Sequence, residues 1–483
     1  MVVHRLHALA EKLGFDDDGL RDVYYQALLR YIGCNAETRL LAAIAGDELT
    51  LRTHAIHLDN TGPELLSLIA RFIREANMGA NPLQMAQALV GGLTTLAQSA
   101  AEFFSGHCEV AQRLAERLSL ADSTVRAISQ VYARWDGKGI PPLKGEAVAP
   151  GMLVVSLAQD VVAYFRLGGL ESAITMAKDR RGRMYAPRHV EVLIKHAGEL
   201  LAGLEADSAW EAVLALEPAP HHIFTETEFD RACEAVADFA DLKTPFTLGY
   251  SPGVAALAAN AARQSGLPES GVIAIRRAGL LHDIGRVGVS AGIWVKAGAL
   301  TQREWEKVRL HPYYTERILS QSDELAGLSA IASLHHERLD GSGYHRNANA
   351  TALSPLARLL AAADVYHALT ELRPHCAAHS PEQAADHLKR EARVGRLDSE
   401  AAHQVLASAG HVVRGRKEIV AGLTEREVEV LRLVARGCSM KQISEALVIS
   451  KKTVDNHIQH IYERIGVNTR AGAALWAMEQ HLL

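Results

Sequence analysis

Residues 279–288 read GLLHDIGRVG, and residues 335–344 read HHERLDGSGY. Between them stands His311 in a His-Pro pair, and beyond them Asp364 in AAADVYHAL, residues 361–369. The apolar run before His282 reads as a helix delivering a His-Asp pair to a buried pocket, with Gly285 and Gly288 ending it. Thr301-x-x-Glu304 is a capping box that starts a helix leading to His311. His335-His336 closes another helix before a glycine turn, and Asp364 lies in an Ala-rich helix able to pack closely. Imidazole and carboxylate are the groups that hold first-row divalent ions in hydrolytic sites. One isolated histidine reads as a satisfied core or surface residue. The ordered set His282, Asp283, His311, His335, His336 and Asp364 reads as a metal site, with ligands enough for two adjacent ions. Two such ions clamp the attacking and leaving oxygens of a phosphodiester.

Outward from this stretch, helical periodicity dominates. Ala, Leu, Glu and Arg are abundant and aromatics make up only 5%, so the chain reads as all-α. At 483 residues it is too long for one typical domain. The Pro218 region and the Gly410–Gly422 region read as linkers, dividing the chain into 1–216, 223–409 and 422–483. A net charge of −5 excludes a protein that coats nucleic acid wholesale, but leaves room for a basic surface on one domain. The five cysteines are scattered without a CxxC pair, which excludes zinc knuckles and a disulfide framework and fits a reducing cytoplasm. The opening MVVHRLHALAEKLG lacks the pattern of a signal peptide. No 18-residue apolar run is evident, so no membrane span is expected.

The first two blocks match each other. VYARWDGKGI from Val131 aligns with HHERLDGSGY from His335, Asp160 with Asp364, and His107 with His311, all 204 residues apart. Upstream, ALLRYIG (27–33) aligns with GLLHDIG (279–285) at 252 residues. Three separated anchors in one register indicate a duplicated helical domain whose first copy carries an insertion. In that copy Arg30-Tyr31 replaces His282-Asp283 and Val131-Tyr132 replaces His335-His336, leaving only His107 and Asp160. A structural or partner role is expected of it rather than catalysis.

The segment from about Leu242 to Leu406 resembles an HD-GYP domain, on HDIGR, the His-Pro pair, HHERLDGSGY and the AADVYHAL helix in family order. That family consists of helical HD-superfamily phosphohydrolases, whose members hydrolyse cyclic di-GMP at a two- or three-metal centre. The resemblance implies iron or manganese, one or two ions. Asp283 would bridge them, with His282 and Asp364 serving one ion and His311, His335 and His336 the other. It casts Asp283 and Arg286 as catalytic, with Arg286 facing a phosphate. The chain departs from the family at several points. Tyr250 stands where the family's first ligand histidine lies, and phenol, with a pKa of about 10, is a poor substitute. Phe246 stands where trinuclear members carry an acid. Gly343-Tyr344-His345 replaces Gly-Tyr-Pro, and His367 replaces the second Asp of the last ligand helix.

The third block begins with Thr424-x-x-Glu427, a capping box, and a stripe of Val428, Leu431 and Val434. Gly437 stops that helix, Met440–Leu447 forms a short one, and Ser450 caps a third running to about Ile465. Val454, Ile458, Ile461 and Ile465 point inward on it. Lys451, Lys452, Asp455, Asn456 and Gln459 face outward, Lys for phosphate and Asn and Gln for base edges. The block resembles the LuxR-type helix-turn-helix domain over its whole length. The resemblance implies contacts to double-stranded DNA from Lys441, Ser450, Lys452, Thr453 and His457, beside Lys451 and Asn456. It also implies a four-helix domain whose last helix often dimerises, hence a homodimer. Ser444, where the family usually has Ala, is a small-for-small change.

The expected architecture is two tandem HD-type helical domains followed by a LuxR-type domain. The expected function is a DNA-binding transcription regulator that senses or slowly hydrolyses a cyclic dinucleotide or nucleotide. The alternative is an active cyclic di-GMP phosphodiesterase with a DNA-binding output.

Overall fold

A computed structural model describes residues 2–55, 58, 63–202, 209–374, 377–410, 422–480 and 482–483. The second expected linker lies almost wholly outside the described residues, as does Cys376. The all-α expectation holds: helices and short 3-10 turns account for the secondary structure, and only isolated β-bridges occur among the described residues. Cys34, Cys108, Cys233 and Cys438 are unpaired.

The chain forms two compact units. The second holds Phe229–Leu483 together with two short upstream segments, Thr38–Ala43 and Asp47–Leu49; the first holds the rest. In the first unit, Val2–Leu13, Asp17–Leu29, Pro150–Arg180 and Pro187–Leu201 enclose a core that includes Leu6, Leu9, Val154, Leu157 and Leu193. Pro150–Arg180 is long and apolar enough to cross a membrane by length and composition, which corrects the expectation that no stretch is. It is broken at Gly168 and Gly169, where φ and ψ leave the helical region. It also buries Asp160 against Arg180 of the same helix, so it behaves as a core helix.

In the second unit, Tyr250–Gln264, Glu269–Leu281 and Pro355–Thr370 pack around an Ala-rich core with Val254, Ile275, Leu281 and Leu360. Small residues set the spacing. A Cβ at Gly279 would fall 2.7 Å from the Cα of Ala255, so Gly279→Ala forces the helices apart at about 1–3 kcal/mol. The helix before the His-Asp pair ends at Leu281, earlier than the glycines suggest, and Ile284–Gly288 forms a 3-10 turn. The cause is a close approach: a Cβ at Gly285 would lie 1.9 Å from the His311 carbonyl oxygen. His335 and His336 likewise fall beyond the helix Asp323–Ala332 rather than on its last turn. The capping boxes at Thr301 and Thr424 form as expected.

Residues 423–479 build four helices, Glu425–Ala435, Met440–Leu447, Lys451–Ile465 and Arg470–Glu479, around Leu431, Val434, Ile443, Val454 and Ile461.

Candidate metal centre

Each ligand-type side chain is placed by a helix or by the turn at its end. His282 is the C-cap of Glu269–Leu281, and Asp283 follows it. His311 opens His311–Leu319, and Asp364 lies within Pro355–Thr370. All six side chains converge, five of them buried and His336 nearly so. Nε2 of His282 lies 3.2 Å from Oδ2 of Asp283 and 3.5 Å from Oδ1 of Asp364. Nε2 of His311 and Nε2 of His335 lie 3.4 and 3.5 Å from Oδ1 of Asp283. Nδ1 of His336 lies 3.7 Å from Oδ2 of Asp364. Two groups are compact enough to hold an ion, His311 with His335 and His336, and His282 with Asp283 and His335.

The backbone orients the imidazoles. Nδ1 of His282, His311 and His335 meets the carbonyl of Gly279, Val308 and Ala332 at 2.7, 2.6 and 2.6 Å. A carbonyl only accepts, so each Nδ1 carries a proton and each Nε2 is turned into the site. Nε2 of His311 and Nε2 of His335 then face each other at 3.3 Å. Two facing lone pairs repel unless a proton or a metal ion lies between them. Nε2 of His282 and both oxygens of Asp283 are buried without a partner in hydrogen-bonding geometry, with charged or imidazole neighbours within 3.5 Å. The donor set and its orphaned atoms fit a divalent ion.

Burial opposes charge on these groups, and pairing overcomes it at two of them. Burial works against a protonated His282, yet Asp283 and Asp364 hold its ring up to about 10. Burial opposes ionised Asp283, yet Arg286 and His282 hold its carboxyl well below the usual carboxylate range. Burial pushes His311 down to about 4. A proton and a metal ion compete for the same Nε2 of His282.

Tyr250 occupies the rim of this cluster. Burial, then the charge of Asp364, pushes its phenol well above the usual range, so it stays neutral. Its hydroxyl donates to Oδ1 of Asp364 at 2.6 Å, the same oxygen that faces His282. Arg286, read from sequence as facing a phosphate, is buried instead. Its Nε lies 2.9 Å from Oδ2 of Asp283, and its guanidinium lies 5.2 and 4.9 Å from the ring centres of Tyr250 and Trp294. It acts on Asp283.

Several supporting residues escape sequence reasoning. Thr315 donates to the carbonyl of His282 at 2.8 Å and accepts from the Gly285 amide at 3.0 Å, locking the His-Asp turn. Glu337 is buried and accepts from the amides of Arg346 and Ala348, which shapes the loop after the His pair. Glu48, far upstream, pairs with buried Lys243 at 3.1 Å and accepts from Ser290 and the Ala291 amide, at the start of the short helix Ala291–Trp294. Arg373 reaches the Tyr250 hydroxyl at 3.3 Å. Only the x-E of HHE lay in a quoted motif; the others carry no local signal.

The aligned positions of the first unit meet in a different way. A Cβ at Gly33 would lie 2.1 Å from the His107 carbonyl oxygen, as one at Gly285 would from that of His311. A Cβ at Gly139 would lie 2.3 Å from the Tyr132 oxygen, and one at Gly343 would lie 2.6 Å from the His336 oxygen. The side chains differ. Nε2 of His107 faces the Arg30 carbonyl at 3.2 Å, and its Nδ1 meets the Tyr132 hydroxyl at 3.3 Å. Both ring nitrogens are therefore engaged. Asp160 accepts from Arg180 at 3.0 Å and from the Tyr185 hydroxyl. Burial raises its carboxyl to about 6, against the pull of Tyr185 and Arg180.

In the C-terminal helices, Ser450 caps Lys451–Ile465 by accepting from the Thr453 amide at 3.0 Å. Lys441, Lys451, Lys452 and Asn456 are exposed, and Thr453 and His457 are half-buried beside them. Ser444 does more than fill space: its hydroxyl donates to the Ile449 carbonyl and ties the turn between the two central helices.

Residues 234–401 match the model of the HD domain, and residues 421–477 match that of the bacterial regulatory proteins of the luxR family. The chain is 30% identical over 372 residues to the 3′3′-cGAMP-specific phosphodiesterase 3 of Vibrio cholerae, covering 76% of this chain and 80% of that protein. The chain belongs to the HD-GYP phosphodiesterase family. A cyclic di-GMP phosphodiesterase of Pseudomonas aeruginosa is 40% identical over 144 residues, 29% of this chain and 35% of that one. The crystal structure of a cyclic GMP-AMP-specific phosphodiesterase from V. cholerae superposes with a TM-score of 0.56 at 25% identity, covering 85% of this chain and 92% of that one. This HD-GYP protein thus carries a LuxR-type DNA-binding domain fused to an HD domain related to cyclic dinucleotide phosphodiesterases.

Proposed function

We propose that this chain is a DNA-binding transcription regulator whose second unit binds a cyclic dinucleotide at a divalent-metal centre and cleaves it slowly. The observation that carries the reading is the convergence of the Nε2 atoms of His282, His311 and His335 on the buried carboxylate of Asp283. His282, Asp283, His311, His335, His336 and Asp364 would hold one or two ions, iron or manganese. The ion supplies Lewis acidity toward a phosphodiester and lowers the pKa of water. Asp283 keeps its negative charge because Arg286 stays beside it, and Thr315 fixes the turn that aims it. The neutral Tyr250 hydroxyl shares Oδ1 of Asp364 and withdraws electron density from that ligand, which accounts for slow turnover. The relatives, named for 3′3′-cGAMP and cyclic di-GMP, support a cyclic dinucleotide as the ligand class.

In this reading the first block, residues 1–216, is a duplicated copy that binds no metal, and 223–409 is the working copy. Residues 422–483 read double-stranded DNA through Lys441, Ser450, Lys451, Lys452, Thr453, Asn456 and His457 in a cytoplasmic homodimer. Two experiments test it. Purified protein incubated with manganese or ferrous iron and either 3′3′-cGAMP or cyclic di-GMP is followed for both bound ligand and product. Binding with turnover well below one per second supports the proposal, no binding of either overturns it, and rapid turnover favours the phosphodiesterase alternative. Lys452→Ala should weaken binding to a duplex about uniformly across sequences and lower its salt dependence by about one counterion. Unchanged affinity and salt slope would show that another surface reads DNA.

A further inference from the structure

A buried carboxylate from far upstream reaches the backbone beside the metal centre. Glu48 stands 195 residues before Lys243. It lies between the anchor at 27–33 and His107, where the first block carries its extra residues. Its contacts nevertheless belong to the second unit, which takes in Asp47–Leu49. Glu48 and Lys243 are 0% and 1% exposed, and charges so deep are costly unless paired. A second tie comes from the same stretch of chain: the Thr38 hydroxyl donates to the Lys243 carbonyl at 2.8 Å.

The ion pair ends on both sides of one short run of backbone, residues 287–291. Nζ of Lys243 donates to Oε1 of Glu48 and to the Val287 carbonyl, each at 3.1 Å. Glu48 accepts from the Ser290 hydroxyl at 2.6 Å and from the Ala291 amide at 2.8 Å. Val287 lies in the 3-10 turn Ile284–Gly288, next to Arg286, whose Nε lies 2.9 Å from Oδ2 of Asp283. Ser290 caps the short helix Ala291–Trp294. The centre of the Trp294 ring lies 4.9 Å from the Arg286 guanidinium and 5.6 Å from that of the His311 ring. Filling this space needs no ions, since apolar side chains of similar volume stabilise a core as well or better. What the ions add is a fixed position for the backbone they bond.

We infer that Glu48 is a positioning residue of the metal centre. Through Lys243, Ser290 and Ala291 it fixes the run that carries Arg286 at one end and Trp294 at the other, and Arg286 in turn holds Asp283. The extra residues of the first block thus complete the second, and residues 223–409 are incomplete without them. The inference rests on the metal-centre reading. Groups that orient a metal's ligands from behind set its affinity without touching the ion.

The test uses the full chain with Glu48→Gln, Lys243→Met and the two together. Melting temperature, manganese affinity and amide hydrogen exchange of the metal-free protein are followed. Glu48→Gln leaves Lys243 buried without its counter-charge, and Lys243→Met does the same to Glu48. Each should lower the melting temperature by at least about 5 °C and weaken manganese binding at least about fivefold. In the double variant no unpaired charge remains, so the melting temperature should largely return, while the Val287 carbonyl stays unheld. Manganese binding should therefore stay weakened, and the peptide spanning 284–294 should exchange at least roughly tenfold faster than in the native chain. Arg180→Met, which breaks a buried ion pair of the first unit, should lower the melting temperature with manganese affinity unchanged. Affinity that returns with the melting temperature in the double variant overturns the inference, because the pair then only stabilises the fold. Affinity unmoved in every variant, or lost equally in Arg180→Met, overturns it too. A native chain that binds no manganese sinks the metal-centre reading and the brace with it, whereas native binding with unmoved variants sinks the brace alone.

Discussion

His107 and His311 hold aligned positions in the two helical units, and they differ in one nitrogen. His311 gives Nδ1 to a backbone carbonyl and keeps Nε2 for the site. His107 gives Nε2 to a carbonyl and Nδ1 to a tyrosine, and keeps nothing. The two aspartates diverge in the same way. Asp364, aligned with Asp160, accepts from the Tyr250 hydroxyl and faces the His282 and His336 rings, whereas Asp160 is closed by Arg180 and Tyr185. In the first unit a guanidinium does for Asp160 what a divalent ion would do for Asp364. The backbone approaches at Gly33 and Gly285 are alike, so what separates the two places is the side chains that fill them. A fold can keep its packing while trading an exchangeable cation for a covalently attached one.

The largest test of this contrast is loss of the metal. Asp283→Asn should abolish metal uptake by elemental analysis and cut any cyclic dinucleotide cleavage at least about 100-fold, while Asp160→Asn should leave metal content unchanged. Equal loss in both would break the distinction. Next in size is stability. Arg180→Met leaves Asp160 buried without its cation and should cost about 3–5 kcal/mol in denaturant unfolding. A cost below about 1 kcal/mol would mean that Tyr185 alone satisfies the carboxylate.

Restoring an imidazole with Tyr250→His sharpens the comparison from the other side. It frees Oδ1 of Asp364 and adds a ligand, and should tighten manganese binding by about tenfold, or about 1.4 kcal/mol. Unchanged affinity would show that Tyr250 does not limit the site. The smallest effect is on pH dependence. Burial lowers His107 to about 4, below its usual value. Its neutral ring therefore supports folding fully above the unfolded pKa of about 6.5, and that support is lost as pH falls from there toward 4. His107→Gln should flatten that part of the acid slope in denaturant melts. A slope that stays the same would place the acid sensitivity elsewhere, His189 being similarly lowered by burial.

Much of the site was legible because its chemistry is local and ordered. His282-Asp283, His311, His335-His336 and Asp364 could be read from residue type and motif order, and the capping boxes at Thr301 and Thr424 from spacing alone. Helix ends near the site were less legible. Leu281 ends its helix because Gly285 must pass against the His311 carbonyl, a contact between segments more than 20 residues apart. Glu48 and Arg373 were invisible for the same reason, since each acts through partners distant in sequence.

By itself, the sequence determined the all-α class, the ligand-type residues, the LuxR-type helices and the alignment of two blocks at constant offset. These follow from periodicity, capping and residue chemistry, which act within a few residues. Only the tertiary structure decided which ring nitrogen each histidine presents, that Tyr250 donates to Asp364, and that Arg286 turns inward to Asp283. Hydrogen-bond direction and burial are set by neighbours that the fold brings together, and the order of residues along the chain does not encode them one at a time.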